Sequence, residues 1–208
     1  MAVMLAGVSA GTVALILLAG FAGHLLHPRT LPAALTAHRT VPDPLIWPAA
    51  VAVGALEGVL GAVTGYALLA GRPRALVLGA TGSGLLFAAY VLYGLYVLRT
   101  RPFERGRHSE RSGRPRDEAA RAASEEDRAT IRTVPCGCAA DDTPMSGWVA
   151  GRAAALALAS VTASAGAGSA VASNGVHVAI VGLSSVVFAV LLWSLPPAMF
   201  DPERSTVG

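Results

Sequence analysis

Cys136 and Cys138 are the two thiols of this 208-residue chain, and a single glycine separates them. They lie in a polar stretch, Val134-Pro135-Cys136-Gly137-Cys138, where core packing gives no reason for a cysteine. A disulfide between them closes a small, strained ring, and strain raises a bridge's reduction potential above that of a relaxed structural one. Gly137 supplies the backbone freedom such a ring needs. The pair therefore reads as a couple that shuttles between dithiol and disulfide. Two other readings stay open, a permanent loop staple and a metal site. Tetrahedral zinc takes four ligands, and no nearby His or Cys pair supplies the missing two, so no metal is expected. With no second cysteine pair, electrons must leave through a quinone-like acceptor or a partner protein; the cofactor itself is not named by the sequence.

Three charged or titratable residues accompany the cysteines. Glu57 sits in the middle of an apolar run, where an isolated charge is costly enough to require a partner, a bound proton or a water-filled cavity. Arg152 enters a later apolar run from the cysteine side, about 8 Å deep against roughly 14–18 Å for Glu57, so its long side chain can reach toward the carboxylate or snorkel to headgroups. His24 closes the first apolar run on that same side, as an interfacial residue or as a proton-transfer group. Glu57, Arg152 and His24 are thus the candidate pocket or charge pair beside Cys136 and Cys138. Phe87, Tyr90, Tyr93 and Tyr96 recur every three residues and read as a core stripe merging into an interfacial aromatic belt rather than as the border of a quinone or lipid pocket. The run Gly79-Ala80-Thr81-Gly82-Ser83-Gly84 has the look of a phosphate-cradling loop, but it lies inside an apolar span and is read as helix packing.

The elements that must position these residues follow from composition. The chain is 53% apolar and 14% charged, with a mean hydropathy of +0.55; a soluble domain carries about 25% charge. Five charge-poor stretches are each long enough to cross about 30 Å of hydrocarbon. The expected fold is all-α, a polytopic transmembrane helical bundle of about five spans with one long charged loop, resident in the cell membrane as a multi-pass protein with the lipid bilayer as its partner. Residues 1–98 hold the first three spans, near 1–26, 45–71 and 75–98. The first has no positive n-region and is read as a retained helix. The prolines of residues 27–44 point to a polar re-entrant or surface segment. Residues 99–133 are rich in Arg, Glu, Asp, Ser and Gly and read as a mostly disordered loop, with helix near 117–128. The cysteine loop covers 134–146. The last two spans occupy 147–197, near 147–166 and 176–195, and 198–208 form a tail.

All 16 basic residues are arginine, which reads as the coding bias of a GC-rich genome; they are interleaved with 13 acids, so no nucleic acid partner is implied. Small residues four apart, such as Gly54 with Gly58 and Gly61 with Gly65, suit close helix approach in lipid. With five spans, the cysteine loop shares a side with Arg29, Arg39, ten loop arginines and Arg204, against Arg72 and Arg74 opposite. A positive-inside count puts that side in the cytoplasm, whereas disulfide chemistry needs an oxidising face.

Phe21-Ala22-Gly23-His24-Leu25-Leu26-His27-Pro28, Ala55-Leu56-Glu57-Gly58-Val59-Leu60, Pro135-Cys136-Gly137-Cys138, and Trp148 with Gly151-Arg152-Ala153 resemble, in that order, the methylamine utilisation MauE family, related to DoxX-like membrane proteins. The resemblance implies a role in maturing a disulfide-rich dehydrogenase subunit by supporting disulfide formation outside the cytoplasm. The redox reading expects a thioredoxin-like or secreted cysteine-containing protein as partner. This chain departs from the family in carrying His24 where a lysine or arginine is usual, in following Cys-Gly-Cys with Ala139-Ala140 rather than Phe-Gly, and in its long charged insertion. The competing class is a non-enzymatic membrane scaffold or small-molecule carrier, in which Cys-Gly-Cys is a structural bridge and Glu57 a structural or transport charge.

Overall fold

The computed structural model describes residues 2–38, 41–100, 147–170 and 175–198, and every element among them is helical. In chain order these are α1 (Ala2–Leu26), α2 (Thr30–His38), α3 (Asp43–Leu69), α4 (Pro73–Thr100), α5 (Gly147–Ala165), α6 (Ala167–Ala170) and α7 (Gly175–Ala198).

Local sequence explains the breaks. The segment read as proline-blocked holds the short helix α2, because Pro32 falls in its first turn, where a missing N–H costs no helical bond. The Thr30 hydroxyl donates to the His27 carbonyl at 2.9 Å and ties down that start. α3 ends where Gly71 takes a positive φ of 66°. That conformation lets the Arg72 N–H donate back to the Ala67 carbonyl at 2.9 Å, and Pro73 then opens α4 with its φ already set for a helix.

Close contacts at small residues fix the helix directions. Gly58 faces Phe21 and Gly65 faces Ala14, so α1 and α3 run antiparallel. Gly79 against Thr64 and Gly82 against Leu60 do the same for α3 and α4, as Gly84 against Ser160 and Gly94 against Ala150 do for α4 and α5. Gly7 faces Val181 and Gly11 faces Ser185, which makes α7 parallel to α1. The five long helices therefore alternate in direction along the chain, with α1 at the centre.

The packing is inverted relative to a soluble bundle. The interior is built largely of small residues, among them Ala6, Ala10, Ala67, Ala80 and Ala163, with Ser83, Ser160 and Ser185. Each of these serine hydroxyls donates to the carbonyl four residues back. The outside carries Leu78, Leu85, Leu92, Leu158, Leu183 and Phe188, all exposed. In water such a surface would drive aggregation, and in lipid it matches the solvent while small residues let the helices approach. Three helices, Val3–Leu26, Asp43–Leu69 and Pro73–Val97, are long and apolar enough to cross a membrane. The described apolar segments of the other two, Val149–Ala165 and Val178–Ser194, are shorter. This is an integral membrane protein, and three of the five expected spans meet the length criterion among the described residues.

Candidate functional site

The antiparallel order of α1, α3, α4 and α5 brings the C-terminal half of α1, the N-terminal half of α3, the C-terminal half of α4 and the start of α5 to one end of the bundle. Three side chains meet between that end and the middle of the bundle. Glu57 on α3 is buried, with 7% of its surface exposed. Its Oε1 accepts a hydrogen bond from the Tyr90 hydroxyl of α4 at 2.7 Å. Its Oε2 stands 3.2 Å from Nε2 of His24 on α1. That is an ion-pair distance, but the alignment is not that of a hydrogen bond, and Oε2 has no hydrogen-bond partner.

Glycines make room for this meeting. A Cβ on Gly20 would stand 3.0 Å from Glu57 Oε2, so α1 passes the carboxylate as closely as it does because residue 20 has no side chain. Gly54, one turn before Glu57, lies beneath His24, and Gly58 lies against the Phe21 ring. Phe87 meets Tyr90 edge to face, with ring centroids 6.2 Å apart, and helps fix the tyrosine ring. The next layer inward is apolar, built from Val13, Ile16, Leu17, Leu86, Phe87 and Leu156.

Of the residues expected to act together, Glu57 and His24 are adjacent. Arg152 is placed differently: its guanidinium lies over the Trp193 ring of α7, 5.2 Å from the centroid, and Glu57 takes its polar contacts from His24 and Tyr90. Cys136 and Cys138 lie outside the described residues. The residue that sequence reasoning missed is Tyr90, taken there as part of an aromatic stripe; the signal was a phenol hydroxyl, which needs a partner when buried in a span that faces Glu57. No group of three or more potential metal ligands occurs among the described residues.

Against known protein families, residues 1–104 match methylamine utilisation protein MauE. The chain belongs to the MauE family. The matched half contains His24, Glu57 and Tyr90 and stops short of Cys136, Cys138 and Arg152, so the match is narrower than the resemblance read from the sequence. No curated protein and no solved structure matches this MauE-family chain.

Proposed function

We propose that this MauE-family protein crosses the cell membrane five times and supports thiol–disulfide chemistry of a partner protein through Cys136 and Cys138. The observation that carries the reading is the position of the chain on either side of that pair. α4 ends at Thr100 and α5 begins at Gly147 at the end of the bundle where α1 carries His24. The alternating directions of α1, α3, α4, α5 and α7 support five crossings, with α5 and α7 as the shorter ones.

Oxidation of the dithiol to the disulfide forms one S–S bond and releases two electrons and two protons. The electrons pass to a quinone-like acceptor, and exchange with the dithiol of a thioredoxin-like or secreted partner then regenerates the Cys136 and Cys138 thiols as the partner gains the disulfide. The family's description links its members to methylamine utilisation, and a client for such chemistry fits that setting. The reading places the cysteine end on the oxidising, extracytoplasmic face.

Topology tests it. Ser109 and Ser124 are each changed to cysteine in a Cys136→Ser, Cys138→Ser background, and intact cells are treated with a membrane-impermeant maleimide. Labelling of intact cells supports the reading; labelling only after lysis puts the loop in the cytoplasm and overturns it.

A further inference from the structure

Glu57 and His24 pose a question of charge that the cysteine chemistry does not answer. The Glu57 side chain is 9% exposed and that of His24 15%. Tyr90 satisfies Oε1, while Oε2 is shielded from solvent and has no hydrogen bond. An ionised carboxylate in this setting is an incompletely compensated buried charge, which needs a cation beside it or a proton on it. Nε2 of His24 is the group at hand. With one proton between them the pair is neutral; with none it carries a buried negative charge, and with two a buried positive one.

We propose that His24 and Glu57 form a binding site for a single proton, exchanged from the His24 end of the bundle. The proton is assigned to His24 with Glu57 as its carboxylate partner, since Nε2 faces Oε2 at 3.2 Å while the Tyr90 hydroxyl donates to Oε1. His24 is the more exposed member, and Leu25, Leu26 and His27 beyond it are exposed. On the inward side Leu17, Leu86 and Phe87 belong to one apolar cluster, and the more exposed His24 marks the side from which the site is reached. Among other charged groups near this end, His27, Arg29, Asp43 and Arg99 are solvent-exposed, and Arg152 lies over Trp193. The site does not depend on the cysteines and stands whether or not they cycle.

The full-length protein in lipid nanodiscs is treated at neutral pH with dicyclohexylcarbodiimide, an apolar reagent that adds to protonated carboxyl groups and spares carboxylates. The adduct on Glu57 is read by mass spectrometry. Wild type is expected to give little adduct. His24→Gln raises it severalfold, because the carboxyl must then hold the proton itself. His24→Arg, a permanent cation, returns it to the wild-type level, and Glu57→Gln gives none at that position. Tyr90→Phe keeps both titratable groups and also raises the adduct, so it carries the test should His24→Gln fail to fold. Equal adduct in wild type and His24→Gln, a rise in His24→Arg as large as in His24→Gln, or no rise in Tyr90→Phe would overturn the proposal.

Discussion

Gly20→Ala and Gly54→Ala make the same change on facing helices beside the same site, and the structure predicts opposite outcomes. A methyl on Gly20 would stand 3.0 Å from Glu57 Oε2 and 3.4 Å from its Cδ. The carboxylate must then shift, and with it the Tyr90 hydrogen bond and the approach to His24. Overpacking of this kind costs about 1–3 kcal/mol. Replacing a helical glycine by alanine returns about 1 kcal/mol, which leaves Gly20→Ala destabilised by up to about 2 kcal/mol. A methyl on Gly54 meets its nearest neighbour, the His24 Cβ, at 3.7 Å, an ordinary contact. Gly54→Ala is therefore expected to be neutral or stabilised by up to about 1 kcal/mol. Reversible unfolding in bicelles measures both, and a Glu57→Ala background, which clears the space in front of Gly20, should remove most of the Gly20→Ala loss. Equal effects at the two glycines, or a Gly20→Ala loss that persists without the Glu57 side chain, would refute the placement of the carboxylate against α1.

Two further outcomes follow from the same geometry. Tyr90→Phe should cost about 1.5–3 kcal/mol in wild type, as expected for a hydrogen bond to a charged acceptor, and clearly less beside Glu57→Leu; a double-mutant cycle in bicelles reads the coupling, and simple additivity contradicts the contact. Arg152→Ala and Trp193→Leu should couple by about 0.5–2 kcal/mol through the cation–π contact, and a Lys at position 152 should retain part of that stability; the same unfolding assay checks both.

Much of the architecture was legible because the bilayer imposes a simple rule, that a long charge-poor stretch must satisfy its backbone internally as a helix. The place of Glu57 inside a charge-poor stretch was readable too, whereas its 3.2 Å approach to His24 depends on how α1 and α3 pack across the link that holds α2. Tyr90 was not readable from periodicity. Tyr90, Tyr93 and Tyr96 share a spacing, and the geometry between α3 and α4 selects Tyr90 as the phenol that reaches Glu57. It lies about one turn further from the α3–α4 turn than the carboxylate, a gap that the length of a tyrosine bridges. For Arg152, depth along a helix axis left pairing with Glu57 and snorkelling both open, and the structure lays its guanidinium over Trp193. The helix α2 was hidden by Pro32, whose position within the first turn matters more than its presence. The apolar α5 is built from Ala, Ser and Thr around a few leucines, which gives helix without the hydropathy of α1.

The central claim is that Cys136 and Cys138 cycle between dithiol and disulfide, and trapping their redox state tests it most directly. Membranes carrying the full-length protein are treated with mild dithiothreitol, alkylated with a mass-tagged maleimide, and compared with samples re-oxidised by a soluble quinone. A strained bridge is easily opened, so both cysteines should be tagged after mild reduction and protected again after the oxidant. Thiols that stay protected under strong reductant, or stay tagged under every oxidant, would contradict the shuttle and leave the pair as a fixed bridge or as two inert thiols.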